Sequence, residues 1–439
     1  MTLPIWLVGF LFPLVCVPVN AQSYRLQETN EPGNMYRVNA RVSLNGTMTV
    51  PSKNEEKPAK TLQLSGKSSL DYDERILKLD KSGQVARTAR QYRQLELQRK
   101  VDDQAQSSSL RNNVRRVVIL RHKNMEVPFS PDGPLTWAEI DLVRTDVFPP
   151  ALSGLLPDKA VAPRDRWTPT SKSIQELTDF EQIKNGTIVC QFQQVTTLGQ
   201  SRQAQISFSG TVSGIGQDGL TKQQLDGHFY FDLQTNHISY LTMQGTQTFP
   251  DEKGNTLGKI EGTFVFTRQQ IRSSPTLSNE ALQKVTTEPN ERNTLLLHQD
   301  PDLGIQFLYP RQWRVGGARG NQISIDERNG SGLLLTVEPP KRVPTGAQFA
   351  RESRDYLEKQ KARITSTTAI RLVRQSPRIE DFAIDVAFGK DRFRMYYLVF
   401  RNDLGGVVVA ARLQLKDLQN LQKDVIGIAA TIRLTKKQK

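Results

Sequence analysis

The sequence predicts an α+β protein: a mainly antiparallel β meander with short helices, followed by an α/β sandwich built on an antiparallel sheet. Three observations predict it. Apolar and polar residues alternate at period two through 36–44 and again through 205–267. A stretch poor in bulky apolar residues occupies 272–295. Beyond it, strand-like runs and two helical stripes follow in the order β-β-β-α-β-β-β-α.

The chain opens on Leu3–Val19, an apolar run with no charged residue before Arg25, closing in the small-x-small pattern Val19-Asn20-Ala21. That reads as a cleavable signal peptide over 1–21, and hence as export to the periplasm or the cell exterior. Prolines at 4, 13 and 18 disfavour a spanning helix, and no later run is apolar enough to cross a membrane. The mature chain is therefore expected to carry no transmembrane segment. After cleavage only Cys190 remains, so no intramolecular disulfide forms; its strand-like surroundings predict a buried, inert thiol.

The N-terminal domain is expected over 22–271. Tyr36, Val38, Ala40, Val42 and Leu44 alternate with polar residues, and Asn45-Gly46 supplies a turn. Four strands then follow in series. Ile206 and Phe208 mark the first, Leu225, Phe229 and Phe231 the second, Ile238 and Tyr240 the third, and Ile260, Phe264 and Phe266 the fourth. The turns Asp218-Gly219, Thr235-Asn236 and Asp251–Asn255 are short, so the strands pair in sequence. Capping boxes are read at Thr136/Glu139 and Ser173/Glu176, with Leu135 and Ile140 placed as a hydrophobic staple. Between them, 147–169 holds five prolines and must be an irregular crossover. Arg87, Arg90 and Arg93 have helical spacing while Leu95 and Leu97 alternate, so helix and strand both remain open there.

The C-terminal domain is expected over 296–439. Strands are read at 304–309, 322–326 and 333–337. A helix opened by Thr345/Gln348 follows, with Phe349, Tyr356 and Leu357 on one face. Strands return at 369–373, 382–388, 393–400 and 407–413. The last helix carries Leu418, Leu421, Val425, Ile428 and Ile432 as a stripe. The run Phe307-Leu308-Tyr309-Pro310-Arg311-Gln312-Trp313, with this element order, resembles the opening of PsbP-like domains. The resemblance covers about the last 140 residues and implies a non-catalytic docking or accessory domain. More faintly, Phe129–Thr136 and Leu155–Trp167 resemble uncharacterised exported bacterial β-rich proteins, and the meander is compatible with the open half-barrel of lipoprotein carriers.

Chemistry is sparse. His122, His228, His237 and His298 have no second ligand at metal spacing, and H-E-x-x-H, C-x-x-C and G-x-S-x-G are absent. Gly66-Lys67-Ser68 lacks the glycine of a phosphate loop, Thr61 standing in its place. Asp71 and Asp73 share a strand face without an oxygen-rich loop. The Asn-Gly-Thr/Ser sequences at 45, 185 and 329 read as turns. No cofactor and no metal are expected.

Charge is the remaining signal. The net charge is +14, and 75–123 holds 13 Lys/Arg against 4 Asp/Glu, while 296–439 holds 25 against 15. Arg87, Arg90, Arg93, Arg115, Arg116 and Arg121 are the candidate anion contacts. Tyr92 is the one aromatic among them, so nucleic acid is not an expected partner. The leading expectation is a non-enzymatic exported binding protein holding an apolar ligand or a partner segment. Adhesion to anionic lipid or acidic glycan, and a hydrolase whose residues converge only in the fold, are the alternatives.

Overall fold

The computed structural model describes residues 22–50, 59–122, 125–144, 147–216, 219–251 and 253–435. The signal peptide expected over 1–21 lies outside the described residues. Most of the regular structure is antiparallel sheet, with few and short helices. The chain divides into two compact units, each assembled from separate stretches. One is Met1–Thr29, Asn45–Thr61 and Phe148–Phe266; the other is Asn30–Leu44, Leu62–Val147 and Thr267–Lys439. The division does not fall at 272–295. Within that polar stretch Leu277 is fully buried with Ala89, Val118 and Phe129, and its carbonyl accepts from Arg75 Nη1 at 2.6 Å.

In the first unit, strands Gln182–Leu198, Ser201–Gly216, Gly219–Asp232, His237–Pro250 and the start of Thr256–Gln270 pair consecutively and antiparallel. This is the expected meander with one more strand in front. The pleat sends Phe192, Ile206, Phe208, Phe229 and Leu241 into the core, and leaves Gln205, Ser207, His228, Tyr230 and Tyr240 part-exposed on the other face. Gly186 has φ +84°, and a Cβ there would lie 2.1 Å from the Thr211 carbonyl oxygen, so the strand pair requires glycine.

The proline-rich crossover brings its own apolar side chains to this meander. Its 3₁₀ turns Pro149–Leu155 touch His237–Pro250, the helix Ser171–Thr178 touches Gln182–Leu198, and Leu152, Leu155, Ile174 and Leu177 are buried. The helix starts earlier than expected. Thr170, not Ser173, is the N-cap, its hydroxyl accepting from the Ser173 amide, while Glu176 accepts from the Phe148 amide at 2.5 Å.

In the second unit, strands Met125–Phe129, Arg116–His122, Val85–Val101, Lys60–Leu79 and the start of Met35–Val50 lie side by side in that order. The undecided arginine stretch is thus strand. The helix Trp137–Arg144 has the expected box: Thr136 N–H donates to Glu139 Oε2 at 2.8 Å, and Glu139 N–H to Thr136 Oγ1 at 3.2 Å.

The same unit contains two further sheets. A small one runs Arg433–Leu434, Ile305–Tyr309, Leu296–Asp300, Leu135–Thr136, its last pair parallel. The larger runs Trp313–Arg319, Gln322–Glu327, Gly332–Glu338, Gly405–Gln414, Asp391–Asn402, Arg378–Phe388, Arg363–Thr367, and the short Arg371–Arg374 also pairs with Arg378–Phe388. Helices Gly346–Lys359 and Leu418–Ala430 complete it, the first opened by the Thr345/Gln348 capping box. Tyr356 is exposed rather than core-facing, and Leu357 fills that place. Phe307, Tyr309 and Trp313 share one core with Val425 and Ile428. Trp313 Nε1 donates to the Asp424 carboxylate on the last helix at 3.0 Å, which ties the aromatic motif to the C-terminal stripe.

Candidate functional site

The six arginines singled out from sequence are spread over several local contacts. Arg87 is buried and pairs with Glu288. Arg90 is fully buried against Glu74, with Nε to Oε1 2.9 Å, and its guanidinium sits 4.7 Å from the Tyr72 ring centroid. Arg93 bridges Asp71 and Asp73, reaching Asp73 at 2.7 Å, so the two carboxylates read as a candidate cation site hold a guanidinium. Burial would raise the Asp73 carboxyl, but hydrogen bonds from Arg37, Arg93 and Ser274 outweigh it and hold it below the usual range. Arg115 donates to the Arg93 carbonyl at 3.1 Å, Arg116 forks onto Asp132, and Arg121 lies 3.4 Å from Glu126. Five of the six charges are answered by carboxylates, so this stretch is not a free cationic face.

The three histidines whose side chains are described are equally committed to the fold. His237 is buried with Nδ1 2.8 Å from Thr235 Oγ1, and His228 packs on Tyr230 and Tyr240. His298 lies 4.9 Å from the Phe307 ring, and burial pushes its pKa down. The side chain of His122 lies outside those described. Burial pushes the Cys190 thiol up to about 12. Among the described residues no group of three His, Cys, Asp or Glu is placed to hold a metal.

The feature with the geometry of a binding site lies in the second unit. It is a cleft of about 1130 Å³ between the small sheet, the turn after Arg374 and the segment Ala430–Leu434. Its apolar lining comes from Leu297, Phe307, Leu308, Phe400, Ile432 and Leu434; Arg111, Arg374, Arg378, Arg401 and Arg433 supply the cations. Short strands make this wall: Ile305–Tyr309 pairs with the terminal Arg433–Leu434 at only two positions. Beyond them the Leu308 amide donates instead to Thr431 Oγ1 at 2.9 Å.

Three of the five arginines are internally compensated. Arg111 forks onto Glu139 at 2.7 and 2.8 Å. Arg378 and Arg401 share Glu380, at 2.6 and 2.9 Å, and that carboxylate also accepts from the Gly346 amide. Burial works against the Glu380 charge, yet these partners hold its carboxyl below the ordinary range. Arg374 donates Nε only to the Ser376 carbonyl at 3.0 Å. Neither Arg374 nor Arg433 reaches a carboxylate among the described residues, and both are exposed. Two guanidinium groups beside apolar walls can take an anionic group whose neighbouring atoms are apolar.

None of the arginines from 374 to 433 stood out in the sequence. The signal available was the net positive charge of 296–439 together with the 371, 374, 378 spacing.

No family model and no curated protein sequence matches this chain. Among solved structures, it is similar to cyanobacterial PsbP (CyanoP) from Synechocystis, with 13% identity and a TM-score of 0.26, over 32% of this chain and 92% of that one. It is also similar to lipovitellin, whose structure is described in terms of lipid–protein interactions, with 10% identity and a TM-score of 0.32. That match takes in 57% of this chain and 26% of lipovitellin. DynF of the dynemicin biosynthesis pathway of Micromonospora chersina matches at 8% identity and a TM-score of 0.13, over 61% and 96% of the two chains. These are weak structural resemblances, and no function passes through them. What the chain presents is a largely antiparallel α+β protein with an arginine-lined cleft, in which no described helix is long and apolar enough to cross a membrane.

Proposed function

We propose that this chain is an exported, non-enzymatic binding protein of the cell envelope, and that its contact surface is the arginine-lined cleft. The observation carrying this reading is the pair Arg374 and Arg433, both exposed and without carboxylate partners among the described residues, beside the part-exposed apolar side chains of Leu297, Leu308 and Leu434. The occupant is anionic. The apolar run Leu3–Val19 with its small-x-small end, read as a leader, supports the envelope as the setting. The meander is a weaker place for a ligand, because the crossover already contributes Leu152, Leu155, Ile174 and Leu177 to its buried side chains.

The test is calorimetric titration of the full mature chain with poly-L-glutamate at low and physiological salt, beside the double variant Arg374→Glu/Arg433→Glu. Both positions are exposed, so the variant should fold. Losing both contacts weakens binding tenfold or more, about 1.4 kcal/mol, and salt weakens the native interaction. Equal affinity of the two proteins would refute the cleft as the contact surface.

A further inference from the structure

Beside the cleft lies a strand with one unoccupied edge. Arg371–Arg374 pairs with Arg378–Phe388 on one side, and among the described residues no strand pairs with its other side. A row of free amide and carbonyl groups is a template for another chain.

Its side chains are unusual for an edge left in water. Ile370, Leu372 and Val373 are 42%, 52% and 44% exposed, and they make three of the twelve exposed large hydrophobic residues among those described. The ladder register passes from Leu372↔Glu380 to Arg374↔Ile379, so Val373 has no partner across it. Apolar exposure concentrated in four residues marks contact with something else.

Charge selects the partner. Around this edge stand Arg371, Arg374, Arg378, Arg401 and Arg433, against Glu380, Asp381 and Asp403. Arginine on an edge ordinarily deters other strands. Here it deters cationic ones and favours a strand that carries carboxylates. The cleft wall formed by Arg374–Arg378 begins where the edge strand ends, so one extended segment spans both.

We infer that the partner is an extended segment of another protein, alternating acidic and apolar residues, which adds to Arg371–Arg374 as a new strand and sets its carboxylates on Arg374 and Arg433. This rests on the cleft reading and specifies the occupant. Main-chain hydrogen bonds supply affinity, and alternate side chains supply selection.

The experiment uses the full mature chain and three labelled eight-residue peptides: alternating glutamate and valine, the same peptide N-methylated at alternate amides, and alternating lysine and valine. Fluorescence anisotropy gives affinity, and hydrogen exchange gives amide protection. The expected result is binding of the acidic peptide, tenfold or greater loss on N-methylation, no binding of the lysine peptide, and new protection within 370–374. Equal binding of the methylated peptide, or no added protection at 370–374, overturns strand addition. In either case the poly-L-glutamate titration decides the cleft reading separately. Binding of polyglutamate without any binding of the acidic peptide likewise overturns strand addition while the cleft reading stands.

Discussion

Arg90 and Glu74 face each other across the ladder of strands Lys60–Leu79 and Val85–Val101, and their side chains are at most 1% exposed. Arg90 Nε donates to Glu74 Oε1 at 2.9 Å, Nη1 donates to Tyr92 Oη at 3.2 Å, and the guanidinium stacks over Tyr72. Replacing Arg90 with Met keeps most of the volume and leaves the Glu74 charge buried without its cation. Breaking such a pair costs about 3–5 kcal/mol, because the desolvation of the survivor is no longer offset. Replacing both, as Arg90→Met with Glu74→Leu, removes the stranded charge and should return the protein to within about 1 kcal/mol of wild type or above it. The assay is urea unfolding followed by tryptophan fluorescence and far-ultraviolet circular dichroism, with midpoints compared only where the slopes agree. A single variant within about 1 kcal/mol of wild type, or a double variant as unstable as the single, would refute the reasoning.

Three other outcomes follow from contacts already described. Trp313→Phe keeps the ring in the core and loses the hydrogen bond to Asp424, so thermal denaturation should show a loss of about 1.5–3 kcal/mol; an unchanged midpoint would mean the bond contributes nothing. Gly186→Ala places a methyl 2.1 Å from the Thr211 carbonyl at a φ of +84°, and should destabilise by more than about 1 kcal/mol in the same measurement. Burial would raise the Glu139 carboxyl, but Arg111 and the Thr136 amide hold it below 4.5, so its stabilising contribution is full above the unfolded value and is lost as pH falls through the folded one. Glu139→Gln should therefore lower the melting temperature at pH 7, with the gap to wild type narrowing as pH falls below the unfolded carboxyl value and through the lowered folded one; a gap that stays constant on acidification would contradict the assignment.

Period-two alternation read the meander and the strand from Tyr36, because a sheet buried on one face writes its pleat into the sequence, but the turns read at Asn45-Gly46 and Asn185-Gly186 lie inside the continuous strands Met35–Val50 and Gln182–Leu198. Capping boxes at Thr136 and Thr345 were legible for a similar reason: both partners lie within four residues. The box at Ser173 was misplaced by three residues because Thr170 offers an equivalent hydroxyl to the same turn. Charge was the poorest guide. A count over 75–123 sees Arg90 and Arg93 but not Glu74, Asp71 or Asp73, which lie just outside that window and come opposite only across a hairpin. Glu288, the partner of Arg87, is some 200 residues away. The cleft was hidden for the same reason, since its cations matter only once Glu380 has been divided between Arg378 and Arg401.

The interleaving of the two units also sets an order of events as the chain emerges. The first is nearly closed within Phe148–Phe266 and needs from earlier only what has already appeared. The second cannot finish so soon. Val114, Leu135 and Ile140 belong to one core with Leu296, Phe307, Trp313 and Ile432, and Leu135 takes Leu296 as its parallel neighbour about 160 residues later. At ribosomal rates of about 5–20 residues per second, Leu135 waits roughly 8–30 seconds for Leu296, and longer for the later members of the core. For that interval the early side chains are exposed apolar surface, so a release at residue 271 is expected to yield one finished unit together with an aggregation-prone remainder.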